Sequence, residues 1–571
     1  LFTCLKTVRT KQLSRSLFIV GVAVGTLSGG CAQRGEQALR PSNDGRVLAI
    51  INGEVAPVPA IPMGDRRTIN RILDEGKNRN QVMDHLTYIS TQIGHRLTGS
   101  ASADMANTWT AERFRSWGLT GVELDQWGEV PVRFDRGPST GRIFLATRTP
   151  RRRDEATSES EPPKAEYTET RQMEFTTMAW MAGTDGPKRG PVVKLPQTEE
   201  EFAAVKDILA GAWVLIPSIP ASAPQGIRGR RGMGGERYDR RAENRQKVAE
   251  GADPMTLPPD ERVIFYGIHG QLSSSRDERV WTGAVPKWRE LDIAKIPADV
   301  EVQVRLSDYD YLNSRLTDGD DVQVEFDLQN KFTAGPWPVY NTIAEIRGSE
   351  KPDEYVIVSG HLDSWNGPGS MGTTDNGTGS SVTLEAARLL MAAKARPKRT
   401  IKFILWTGEE QGLLGSREWV KKNEAQWPKI SACFVDDGGT NYQGGLKCTD
   451  AMAPMLAAAT APVNNIFFDS KDGKPLNVNI QPKGVKFTQT GGSDHASFVA
   501  KGIPGFFWDE SGRAEYGFGW HTQNDRLDLA IPEYLEQSAT CAAITAYNLA
   551  CASELLPRFP TEQDEATRSS R

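Results

Sequence analysis

The stretch from Tyr355 to Glu410 reads YVIVSGHLDSWNGPGSMGTTDNGTGSSVTLEAARLLMAAKARPKRTIKFILWTGEE. Its first apolar run, Tyr355-Val356-Ile357-Val358, ends in Gly360-His361-Leu362-Asp363. A second, Ile401-Lys402-Phe403-Ile404-Leu405-Trp406, ends in Gly408-Glu409-Glu410. Each reads as a buried strand. Between them, Thr383 to Ala395 places apolar and alanine residues at helical spacing, which predicts a strand, a crossover helix and a parallel strand. Open parallel sheets carry their chemistry just past the carboxyl ends of the strands, so His361 and the two glutamates are functional candidates.

The same alternation continues downstream. Val339 to Ile346 and Ile430 to Val435 read as further strands, the latter followed by Asp436-Asp437-Gly438-Gly439. An alanine-rich helix over 451–461, the block Gly491-Gly492-Ser493-Asp494-His495, the run Ile503 to Trp508, Gly519-Trp520-His521-Thr522 and a last helix from Tyr534 to about Leu555 complete it. Upstream, from Thr68, the periodicity turns helical, interrupted by Gly94-His95-Arg96-Leu97-Thr98-Gly99-Ser100. The fold class expected is α/β, a mostly parallel central sheet with helices on both faces, assembled from two segments, 63–130 and 331–556. Short β-like runs separated by Gly, Pro and charged residues fill 131–330, which reads as an inserted β-rich domain. Within it, 151–170 and 221–262 are polar or Arg-, Gly- and Pro-rich, and are expected as exposed mobile loops. The tail 557–571 is expected to be disordered.

A net charge of −5 and a pI near 5.9 give no support for a nucleic-acid-binding surface, which would be strongly basic. Lys6, Arg9, Lys11 and Arg15 lead into the apolar run Leu17 to Val24 and then small residues before Cys31, the pattern of an export signal over 1–31. The small residues directly before the cysteine read as a lipoprotein-type site that would put a lipid anchor on Cys31, with plain cleavage near Ala32 as the alternative. The expected location is therefore periplasmic or membrane-anchored outside the cytoplasm. Residues 32–62 read as a tether. No CxxC occurs, which argues against a thiolate zinc site, and Cys433 and Cys448 are the pair able to form a disulfide in an oxidising compartment.

Of six histidines, His361, His495 and His521 fall in the α/β half, beside Asp375, Glu409, Glu410 and Asp437. A single histidine past a strand is ordinarily structural. Several, beside carboxylates past successive strands, point to metal, because uncompensated acids packed there would repel one another. Imidazole with carboxylate suits zinc, and two metals about 3.5–4 Å apart can share a bridging carboxylate.

In order and spacing, HLDSW, TDNGTG, WTGEEQGLLGS, DDGG, SDHASF and the late Trp-His-Thr resemble the co-catalytic zinc exopeptidases that include leucyl aminopeptidases and glutamate carboxypeptidases. Through GHLDSW and LWTGEEQG the nearest likeness is to the carboxypeptidase Q (plasma glutamate carboxypeptidase) branch. The resemblance implies two Zn2+ ions, with His361 and Asp437 on one, Glu410 and His521 on the other, and Asp375 bridging. It implies Glu409 as general base toward the attacking water, Asp363 as the partner that orients His361, a cis peptide bond after Asp375, and a protease-associated type of insert. Asp494 and His495 are read as pocket residues, and His85, His95 and His269 as structural. The activity implied is hydrolysis of short peptides or dipeptides, by an aminopeptidase or a dipeptide-cleaving carboxypeptidase, with homodimer formation left open. Two alternatives share the scaffold: a glutaminyl-cyclase-like zinc enzyme and a non-catalytic binding lipoprotein. Every implied ligand lies outside 131–330, so the insert is expected to be dispensable for metal binding and to shape substrate access to the cleft.

Overall fold

The computed structural model of the chain describes residues 47–147, 165–218, 235–487 and 492–559. The export signal with Cys31, the tether up to residue 46, most of the 151–170 loop, Arg228, Arg230 and Arg231, and the tail from residue 560 lie outside the described residues.

The strand, helix, strand unit expected from the sequence is present: Lys351–His361 and Arg399–Trp406 pair in parallel, joined by the helix Thr378–Ala392. Ile430–Val435 and Gly505–Phe507 extend the parallel sheet on the other side of Lys351–His361. Alternate side chains on these strands enter different cores, as the period of two requires. Val356, Val358, Ile401, Phe403, Leu405, Ala432 and Phe434 face one core with the helices Thr378–Ala392 and Pro532–Cys551. Ile357, Ile404, Trp406, Ile430, Cys433 and Val435 face the other, with Trp419, Val420 and Phe498 of two shorter helices. The crossover helix is buried from Thr378 to Leu390, which explains its mostly small and apolar composition, and its two buried charged residues, Glu385 and Arg388, pair with each other at 2.8 Å.

The helices read upstream form as Arg66–Asn78, Val82–Tyr88 and Ala101–Ser116. Asp65 caps the first by accepting the Thr68 N–H, and Ser100 caps the last by accepting the Ala103 N–H. The tether ends earlier than expected: Ala49–Ile51 pairs in parallel with Asn479–Pro482 in a second, smaller sheet, so the chain is packed from there on. At the other end Phe559 stacks on Phe487 with ring centroids 4.5 Å apart, which keeps 557–559 on the molecule. The described cysteines, Cys433, Cys448, Cys541 and Cys551, are all buried and free, so Cys433 and Cys448 do not pair.

The insert is not a separate bead. Two long antiparallel strands, Thr120–Thr147 and Val322–Ile346, run from the central sheet into the insert without a break. Beyond them Lys188–Lys194, Trp213–Leu215, Gly270–Ser274 and Glu301–Val304 pair in parallel in the same continuous sheet over their own apolar core. The insert is also less purely β than its sequence suggests. Gly235–Ala249, inside the expected 221–262 loop, is a helix with Tyr238, Arg241 and Asn244 buried, and Glu166–Gln172 is a strand. The arginines mislead a composition reading because Arg237 and Arg241 are spent on one buried carboxylate, Glu301. A long aliphatic stem can cover a core while its charged end is paired.

Candidate metal centre

Three neighbouring parallel strands deliver their polar residues to one place. His361 closes Lys351–His361, Glu409 and Glu410 follow Arg399–Trp406, and Asp436 and Asp437 follow Ile430–Val435. Asp375 comes from the turn Thr373–Gly377 ahead of the crossover helix, and His521 from the loop after Tyr516–Gly519. That turn seats tightly on the sheet. A Cβ at Gly379 would collide with the Asp436 carbonyl oxygen, and the same carbonyl accepts a 2.7 Å bond from Asn376 Nδ2. The Asp375–Asn376 peptide bond is cis.

The side chains form two groups able to hold a metal ion, His361 with Asp375 and Asp437, and Asp375 with Glu410 and His521. Asp375 belongs to both. Its Oδ1 lies 3.2 Å from His361 Nε2 and its Oδ2 3.3 Å from His521 Nε2. Asp437 Oδ1 is 3.0 Å from His361 Nε2, and Glu410 Oε2 is 3.0 Å from His521 Nε2. Glu409 stands slightly apart, its Oε2 3.9 Å from His361 Nε2. Asp436 turns away and accepts a 2.6 Å bond from Gln443 Nε2, so the two neighbouring aspartates are separated by direction.

The residues fit a cationic guest. Burial pushes the Glu409 carboxyl well above its ordinary range and raises that of Glu410 to about 8, with Asp375 adding to the latter. Burial opposes charge on His521 too, yet Glu410 and Asp375 carry its pKa to about 10. Asp436, Asp494 and Asp525, all buried nearby, are each lifted by burial to about 7. Asp375 Oδ2 is buried without a hydrogen-bond partner. So many carboxylates in one enclosed place call for more positive charge than two imidazoles supply, and dications answer that need.

Asp363 does more than the sequence suggests. His361 Nδ1 lies 3.0 Å from the Asp363 backbone oxygen and 3.6 Å from its Oδ1. The carboxylate accepts the Glu409 and Glu410 N–H groups at 3.3 Å each and the Thr98 hydroxyl at 2.9 Å. It therefore ties the His361 strand end to the Glu-Glu turn. Asp494 and His495 are fully buried beside the site, and neither joins the two groups.

Sequence reasoning passed over Arg96. Its fully buried guanidinium donates to the carbonyls of Leu362 at 2.6 Å, Gly372 at 2.6 Å, Gly94 at 2.7 Å and Met371 at 3.2 Å. It thereby joins the loop after His361 to the turn before Asp375. Asp525 was missed as well; its Oδ1 accepts the Thr374 N–H at 2.5 Å and the Thr374 hydroxyl at 2.7 Å. An acid four residues after His521 was the available signal for Asp525, whereas nothing local marks Arg96.

Residues 341–545 match the profile described as Peptidase family M28. Carboxypeptidase Q of Xenopus laevis is 31% identical over 278 residues, covering 48% of this chain and 54% of that protein. Carboxypeptidase Q of Mus musculus is 30% identical over 266 residues, covering 47% and 52%. The chain thus spans about half the length of the curated relatives it matches. A solved structure described as a peptidase M28 precursor from Shewanella amazonensis aligns with a TM-score of 0.55 and 20% identity, covering 87% of this chain and 99% of that one. That likeness concerns the fold, and it extends beyond the M28 stretch into the rest of the chain.

Proposed function

We propose that the chain is a zinc-dependent exopeptidase with two metal ions, acting on short peptides or dipeptides. The observation that carries the reading is Asp375, whose two oxygens face different histidines and so suit a bridge between two ions. His361 and Asp437 complete one position, and Glu410 and His521 the other. Zinc bound there would polarise the scissile carbonyl and make the attacking water more acidic. The protein's own contribution to proton movement is Glu409, which lies beside both groups and belongs to neither. It takes a proton as the water oxygen bonds to the carbonyl carbon and returns it to the amine nitrogen as the carbon–nitrogen bond breaks. Asp363 keeps the assembly in register, since one carboxylate holds both glutamate N–H groups.

The N-terminal signal supports export, and among the described residues no helix is long and apolar enough to cross a membrane. Metal analysis together with hydrolysis of free dipeptides, amino-blocked peptides and aminoacyl anilides tests the reading. Cleavage that requires bound zinc and a free terminus is expected. A correctly folded, exported chain that takes up no zinc and cleaves none of the three substrate types would end it.

A further inference from the structure

We infer that the inserted domain is a working part of the metal centre: its segment 278–282 clamps the His521 loop, with Gln523 as the buried anchor. The inference rests on the reading of His521 as a ligand of one of two metal ions. His521 has φ at +59°, the left-handed region that residues with a Cβ disfavour. Such a conformation persists where the surroundings hold it.

Here the surroundings come from the insert. The His521 carbonyl accepts the Thr282 N–H at 3.0 Å, and Trp281 forms an antiparallel bridge with Thr522. Gln523 is 4% exposed and spends its amide entirely on the insert. Its Oε1 accepts the Val280 N–H at 2.9 Å, and its Nε2 donates to the Glu278 carbonyl at 3.0 Å and to Glu174 Oε2 at 2.8 Å. Arg279 reaches across to donate to the Gly517 carbonyl at 2.7 Å. The rings of Trp281 and Trp520 meet edge to face with centroids 5.8 Å apart. Behind the clamp, the Trp281 N–H donates to Gln303 Oε1 at 3.1 Å, and the hydroxyls of Thr282 and Thr176 lie 2.9 Å apart, so the segment is fastened to the sheet of the insert.

The far end of the same loop is fastened differently, by Asp525 to Thr374. His521 hangs between the two attachments, aimed at Glu410 and Asp375. The other group draws His361 and Asp437 from strand ends of the central sheet and needs no support from the clamp. Gln523 and Arg279 are therefore positioning residues for one metal position only.

Zinc titration of the full-length, chelator-stripped chain by calorimetry separates the outcomes. The unsubstituted chain should take two zinc ions. Gln523→Ala should keep one at unchanged affinity and bind the other about 10–100-fold more weakly, the usual scale for losing a partner that orients a ligand. Arg279→Ala, at a side chain 28% exposed and so safer for folding, should move the same position in the same direction by less. Unchanged affinities in both variants, or equal weakening of both positions, would overturn the clamp. An unsubstituted chain that binds fewer than two zinc ions would instead overturn the two-metal reading beneath it.

Discussion

Glu409 and Glu410 are adjacent, carry the same group, and are held by the same carboxylate, yet they face different partners. Glu410 is committed at both oxygens, Oε2 to His521 and Oε1 to the Trp365 N–H at 3.1 Å. Glu409 reaches only toward His361. Glu409→Gln should therefore leave metal content and fold nearly unchanged while turnover falls by at least about 10²–10⁴-fold. Glu410→Gln should lose zinc at its own position and recover part of its activity when zinc is added. Metal analysis beside kcat reads both, and exchanged phenotypes would exchange the roles. Arg96 acts at the same scale by a different route. Removing its guanidinium would take a donor from the buried Leu362 carbonyl and from the half-buried Gly94 and Met371 carbonyls, while the Gly372 carbonyl keeps the Gly377 N–H at 3.1 Å, so Arg96→Met should lower the unfolding free energy by at least about 1–3 kcal/mol. A denaturant midpoint within error of the unsubstituted chain would show that these carbonyls find other donors.

The helix Gly235–Ala249 shows how one buried acid organises a polar element. Its sequence, GERYDRRAENRQKVA, has almost no apolar residue to drive packing. Arg237 and Arg241, one turn apart, nevertheless converge on Glu301, which is 5% exposed in the strand Glu301–Val304. Burial alone would raise the Glu301 carboxyl, but the two guanidiniums hold it below its ordinary range near 4.5. A depressed carboxyl pKa means that the ionised form is favoured by folding. The stabilisation is therefore present in full above about pH 4.5 and is lost as the pH falls through the lower folded value. Hydrogen exchange along 235–249 should accelerate on acidification before the strands of the central sheet do. Glu301→Ala should produce the same loosening at neutral pH, at about 3–5 kcal/mol, because it leaves buried guanidinium charge unpaired. Equal protection of this helix at pH 7 in both chains would rule that out.

Over the whole molecule, one sheet carries both the centre and the insert, and the strands Thr120–Thr147 and Val322–Ile346 serve each. Excision at residues 131 and 330 would cut both strands and expose the apolar cluster in which Leu97, Trp127 and Trp365 of the α/β part meet Trp180, Val285 and Trp288 of the insert. Metal should act on the molecule as a unit as well. Zinc at a thousandfold excess over its Kd would add about 4 kcal/mol of stability, so chelation should lower the Tm and zinc should restore it. A Tm insensitive to chelator would argue against metal bound within the buried carboxylate cluster. The parallel unit, the strand ends that bear His361, Glu409, Glu410 and Asp437, and the helix that follows Asp375 were legible from sequence alone, because short continuous apolar runs ending in glycine and acid are local signals. Arg96, Asp525, Gln523 and the Arg237–Glu301–Arg241 pairing were decided only by tertiary structure. Each has partners 60 to 349 residues away in the chain, chosen by which carbonyls and carboxylates folding buries side by side.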